Sequence, residues 1–118
     1  MLPVLKYNGV VIADKVEYAK TIISQTLGLM FRKSIEPYFA KIFILKKPAS
    51  VNIHMFFVFF PLDVIFLDPD KNISGCARLA PWTGYKGMKN VKYVIEMKEG
   101  TIERYNLTSG RHMEFEDI

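Results

Sequence analysis

The chain is poor in the side chains that most metal and thiol chemistry uses: 118 residues contain one cysteine and two histidines. Cys76 has no internal partner for a disulfide and no companions for a cysteine metal cluster. An unpaired thiol of this kind fits a reducing compartment better than secretion. Its strand setting supplies only Arg78 nearby, too little to depress a thiol pKa for nucleophilic work, so Cys76 reads as a buried spectator. His54 and His112 show none of the spacings that mark a metal centre. Even with Asp63 added they make no recognisable motif, and we expect neither a metal nor a cofactor. Ser24, Ser34, Ser74 and Ser109 lack a nucleophile-elbow context.

A long hydrophobic run is also missing. A spanning helix needs about 20 apolar residues, whereas Met55–Leu67 provides 13 and is interrupted by Asp63. A carboxylate there costs about 2.5–3.5 kcal/mol on insertion scales, so no membrane span is expected. The start, MLPVLKYNGVV, carries no basic leader or small-residue cleavage site, which makes the cytoplasm the default location. Charge is not concentrated in an arm. The net charge is +4, with eight Lys/Arg against three Asp/Glu in residues 1–60 and eight against nine in residues 61–118. That is a mild basic bias, not a nucleic-acid tail.

What is present is apolar. Half the residues are hydrophobic and 14% are aromatic, enough to offset chain entropy and exclude disorder. The length suits a single domain over residues 1–118, burying roughly two-thirds of its unfolded surface. Asn8-Gly9 between apolar runs predicts a hairpin of strands 3–7 and 10–19. Ile22, Ile23, Thr26, Leu27 and Met30 are at helical spacing, predicting a short helix over 21–29. Strands are expected at 39–47, 54–60, 64–67, 73–80 and 91–97. His54–Phe60 is apolar on both alternating faces, as a covered central strand would be, and Pro61 should end it. Residues 68–72 form a turn and 81–90 an irregular loop. Thr101 would cap a short helical turn with Ile102 and Tyr105 facing inward, and RHMEF would close the sheet. The fold class is therefore mainly β (α+β): a compact, mostly antiparallel β-barrel-like or sandwich domain with one or two short helices.

Four groups of residues carry a resemblance: Gly28, Leu29, Met30 and Arg32; Met55 before Pro61-Leu62-Asp63 and Phe66; Pro81; and Glu96 with Gly100. In this order and spacing the chain resembles the domain of unknown function 192 family over roughly residues 10–115. Many members have Trp-Met-x-Asn-Thr in the central strand, where this chain has His54-Met55-Phe56-Phe57-Val58. The resemblance implies a compact β-rich fold and supplies no mechanism.

Six residues form the candidate ligand-binding set: Met30, Arg32, Met55, Asp63, Trp82 and Glu96. No catalytic residue is assigned. Asp63 follows Pro61 within an apolar stretch, so it should be partly buried and needs partners. It either accepts backbone N–H groups as a structural device or serves as a shifted base or ligand anchor. Arg32 is the natural counter-ion for Asp63 or Glu96, because a guanidinium pairs bidentately with a carboxylate. Glu96 is either a solvated strand residue or half of an acid/base pair with Asp63. Trp82 and Tyr85 beside Lys86, Lys89 and Lys92 resemble the mixture used by single-strand binders, against the plainer reading of a Trp packed on the core with solvated lysines.

The function expected is thus a non-catalytic binding or interaction module. Its site would lie near the Pro61–Asp63 break, lined by Met30, Met55, Phe66 and Trp82, with an unknown small molecule or protein as partner. The alternatives are a small hydrolase using Asp63 and Glu96, and a weaker case for single-stranded nucleic acid at the 82–92 loop.

Overall fold

The structure is a computed structural model that describes residues 3–20, 29 and 32–117. The expected helix over 21–29, except for Leu29, and the candidate residue Met30 lie outside the described residues. In chain order the elements are β1 (Leu5–Tyr7), β2 (Val10–Ala13), β3 (Lys15–Ala19), β4 (Phe39–His54), β5 (Leu62–Leu67), β6 (Ile73–Leu79), β7 (Tyr85–Lys98), a short helix (Thr101–Tyr105) and β8 (Met113–Glu114). They form a three-stranded sheet, β2-β1-β8, and a five-stranded sheet, β3-β4-β7-β5-β6. Every pairing is antiparallel except β3 with β4. Among the described residues the protein is mostly β and sandwich-like, without a closed barrel.

The first hairpin forms where Asn-Gly predicts it. Tyr7 pairs with Val10, and Asn8 and Gly9 take the positive φ values of 54° and 78° that a two-residue turn requires. The expected strand 10–19 is broken at Asp14. Its first half stays with the small sheet, and its second half joins the large one beside β4.

Alternation along the strands gives the five-stranded sheet two buried faces. One carries Ala40, Ile42, Ile44, Ile65, Leu67, Tyr93, Ile95 and Met97, covered by Leu5, Ile12 and Met113 from the small sheet. The other carries Phe39, Phe43, Leu62, Val64, Phe66, Leu79 and Val94, covered by Leu29, Ile35, Met55 and Val58. β5 is buried at all six positions, so it is the doubly covered strand that the apolar pattern calls for.

Residues 54–60 are not that strand. β4 continues from Phe39 to His54, through Pro48, and the chain then leaves the sheet in a turn. Phe57 has φ 61°, and the Met55 carbonyl accepts the N–H of Val58. Pro48 is tolerated because the β4–β7 ladder is interrupted between Ile44 and Ala49, where no N–H is needed. The other partner of this ladder also begins early: Tyr85–Asn90, expected as loop, is the first half of β7.

The long strands bend. Sixteen residues of β4 would extend about 53 Å when straight, yet the molecule measures 33 Å along its longest axis. The ladder irregularities at Ile44, Ala49 and Val51 provide the bend. Beyond them the β4–β7 ribbon folds across the second face, where Val51, Ile53 and Met88 pack on the core. Gly75 of β6 marks the landing point, since a Cβ there would lie 2.5 Å from the Met88 methyl. No helix among the described residues is long and apolar enough to cross a membrane.

Candidate functional site

The structure separates the candidate residues into three places. Asp63 lies on the face covered by the small sheet, fully buried. Its two oxygens are spoken for: Oδ2 accepts the backbone N–H of Ile102 at 2.9 Å, and Oδ1 accepts the Arg78 Nε at 3.3 Å. Arg78 is the neighbour that antiparallel register supplies, and it also donates to Glu103 at 2.8 Å. Asp63 thus ties the first turn of the Thr101–Tyr105 helix to the sheet, satisfying an N–H that the helix leaves open. Thr101 is not the cap. Gly100 occupies that position at φ 93°, and the Thr101 hydroxyl donates to the Lys98 carbonyl. Cys76 lies on the same face, where burial, and then the Asp63 charge, push its thiol up to about 11.

Arg32 and Glu96 are on the opposite face. Strand register aligns Glu17 of β3 with Lys41 of β4, and Lys41 with Glu96 of β7. An acid–base–acid row therefore crosses three strands. Arg32 does not pair with Asp63 or Glu96 as expected. Its guanidinium forks onto Glu17 at 2.7 and 3.4 Å and lies 5.5 Å from the centre of the Phe39 ring. Lys41 Nζ reaches the same Glu17 at 3.2 Å. The Arg32 hydrogen bond holds the Glu17 carboxyl below its ordinary range. Glu96 is buried at the inner end of the row, and desolvation pushes it up to about 7 despite the opposing pull of Lys41. Glu96 is thus a core residue, which removes the solvated of its two readings. Asp63 is the register partner of Met97, so alternation places it and Glu96 on opposite sides of the sheet. They share no cavity, which removes the acid/base pair.

Met55 and Trp82 meet in the third place. Met55 is buried, and its backbone is clamped to the 80–84 turn: its N–H donates to the Gly84 carbonyl at 3.1 Å, and its carbonyl accepts the Trp82 N–H at 3.0 Å. The turn needs Gly84, because a Cβ there would fall 2.6 Å from the Ala80 carbonyl oxygen. This clamp pushes aromatic side chains outward. Phe56, Phe57, Phe59, Trp82 and Tyr85 each leave 41–62% of their surface in solvent. Phe57 and Phe59 pack on Trp82, with centroids 4.9 and 5.7 Å away and planes tilted by 61° and 45°. Phe56 packs on His54 at 4.9 Å, and the Tyr85 hydroxyl donates to Asn52 across the ribbon at 2.7 Å. The result is a preformed aromatic platform at the ribbon tip.

Sequence reading missed Phe56, Phe57 and Phe59 as surface residues because a run without alternation has no inside or outside. A signal was nevertheless present. Residues 42–62 and 80–95 contain five lysines and no Asp or Glu, leaving the remaining sequence at −1. Glu17 and Lys41 were missed because only register brings them beside Arg32 and Glu96.

A separate cleft of about 280 Å³ lies between Tyr38 and the helix start, bordered by Lys98, Arg104 and Tyr105. Arg104 already sits 5.7 and 5.6 Å from the Tyr38 and Tyr105 ring centres. Among the described residues, no group of three or more His, Cys, Asp or Glu could hold a metal ion.

Comparison with known proteins agrees with this architecture. A family model, DUF192 (Uncharacterized ACR), matches residues 4–115. A UPF0127 protein of Pyrococcus furiosus is 35% identical over 117 residues, spanning 98% of this chain and 97% of that one. Another, from Thermococcus sibiricus, is 34% identical over 113 residues, spanning 94% and 72%. The crystal structure of a protein of unknown function from Novosphingobium aromaticivorans superposes with a TM-score of 0.84 at 24% identity, covering 95% of this chain and 83% of that chain. That likeness speaks for the fold alone.

Proposed function

The chain belongs to the DUF192 family of uncharacterised proteins, and from that premise we propose that it is a non-catalytic binding module whose contact surface is the aromatic platform at the ribbon tip. Met55 holds the platform from beneath, and Trp82 forms its centre. The expected site near Pro61 thereby moves a few residues upstream and outward. One observation carries the reading: five large aromatic side chains are exposed on the 56–59 turn and the 82–85 segment, whose backbones are clamped to each other by hydrogen bonds through Met55. Clustered exposed apolar surface marks interaction sites, and a rigid aromatic surface loses little entropy on binding. Asp63, Arg32 and Glu96 act in the architecture, anchoring a helix and filling a charge row across three strands.

Trp82 is the one tryptophan, so its emission reports binding directly. Anionic vesicles, an oligothymidylate and an acidic peptide, titrated separately into the full chain, form the test. A saturable change in Trp82 emission with any of them, lost in Phe56→Ser/Phe59→Ser while thermal melting is retained, is the expected result. No change with any of the three would overturn the reading.

A further inference from the structure

We propose that the partner of the aromatic platform is the surface of an anionic lipid bilayer, entered by the Phe56–Phe59 turn and held by the lysines of the ribbon behind it. This rests on the platform being the contact surface and identifies its occupant.

Charge distribution is the first argument. The two segments that build the tip and the bent ribbon, 42–62 and 80–95, carry Lys46, Lys47, Lys86, Lys89 and Lys92 without one acidic residue. Tyr85 is at the tip, so Lys86 is one residue behind it and Lys89 four, about 13 Å at strand rise. Both are therefore close to the depth of lipid headgroups when the phenylalanines enter the acyl boundary. A basic segment next to an apolar insertion is the combination that gives stable peripheral attachment, since neither signal suffices alone.

Ring geometry is the second argument, and it separates lipid from nucleic acid. Base stacking requires an open aromatic face. Here Trp82 is engaged by Phe57 and Phe59 at steep interplanar angles of 61° and 45°, which makes an interlocked knob rather than a stacking ladder. A bilayer asks only for apolar bulk and for amphipathic Trp and Tyr at the interface. Tyr85 supplies the latter, with its hydroxyl tied to Asn52. All five cations are lysines. Lys92 is engaged by the Leu45 and Lys46 carbonyls; the other four act as hydrated point charges suited to headgroups, whereas base-edge readout favours the arginine fork. A second copy of the chain fits poorly, because facing platforms would bring the lysine-bearing ribbons of the two copies together.

Sedimentation of the full chain with two vesicle types tests the assignment: equal parts phosphatidylserine and phosphatidylcholine, and phosphatidylcholine alone. We expect binding to the mixed vesicles at least ten-fold above phosphatidylcholine, weakening as salt is raised, with a blue shift of Trp82 emission. Lys86→Gln/Lys89→Gln, near the ribbon tip, should weaken binding by roughly five- to twenty-five-fold, on the order of five-fold for each lysine near the surface. Phe56→Ser/Phe59→Ser should abolish it with melting unchanged. Equal binding to both vesicles, or loss of neither variant's affinity, overturns the proposal. If Trp82 answers an oligothymidylate or an acidic peptide but neither vesicle, the lipid assignment fails while the platform remains a binding surface. Silence towards all of them overturns both.

Discussion

Glu96→Gln is the substitution that most sharply examines the charge row. In the folded chain the Glu96 carboxyl is pushed from 4.5 up to about 7 by burial. Below about pH 4.5 the folded and unfolded states both hold its proton, and the group leaves stability unchanged. Between 4.5 and 7 the unfolded chain has released a proton that the folded chain keeps, so stability falls as pH rises through this window. Above 7 the loss is complete. At 1.36 kcal/mol per pH unit it amounts to about 3 kcal/mol. Glutamine is neutral throughout and keeps the shape, and Lys41 retains Glu17 at 3.2 Å as its counter-ion. The stability of the variant relative to the parent should therefore climb by about 3 kcal/mol between pH 4.5 and 7.5, on the order of 10 °C in melting temperature for a domain of this size. Urea unfolding of both proteins across that range measures it, and differencing removes every titration that the two share. Parallel curves would show that Glu96 is hydrated or charged at neutral pH, and the description of the row would be wrong.

Two further substitutions probe the anchoring of the fold. Asp63→Ala removes the acceptor of the Ile102 N–H and leaves a part-buried donor open, so it should cost about 2–4 kcal/mol; an equilibrium denaturation change under 1 kcal/mol would deny the carboxylate its anchoring role. Gly75→Val drives a side chain into the Met88 methyl, the movable end of a flexible chain, and should destabilise by about 1 kcal/mol. Met88→Ala in the same chain should recover part of that loss, as a double-mutant cycle would detect, and strict additivity would mean that the ribbon does not land on β6.

Local chemistry was legible where one residue type dictates the backbone. Asn8-Gly9 set the hairpin, and Pro-Leu-Asp in an apolar setting pointed to a buried, partnered carboxylate. The partners themselves were not legible. Arg78 faces Asp63 through β5–β6 register, and Glu17 claims Arg32 because β3 lies parallel to β4. Both are products of topology rather than of local pattern. The apolar run after His54 misled for a different reason. Period-2 alternation assigns a face only when the two faces differ, and in Met55–Phe60 they do not. Length then favoured a strand, although the backbone hydrogen bonds of Met55 go to Gly84 and Trp82 instead of to a neighbouring strand. The strand expected over 39–47 runs on to His54, because a ladder irregularity lets Pro48 sit within it.

Collisional quenching of Trp82 in the free protein tests the central claim most directly, with no ligand required. The indole is 43% exposed and belongs to a segment, 80–95, with three lysines and no acidic residue. Acrylamide should therefore quench it readily, and iodide should do so more efficiently than caesium, since the lysines concentrate the anion and repel the cation. An emission insensitive to all three quenchers would place Trp82 in the interior, and a preference for caesium would remove the basic surface; either result contradicts the account.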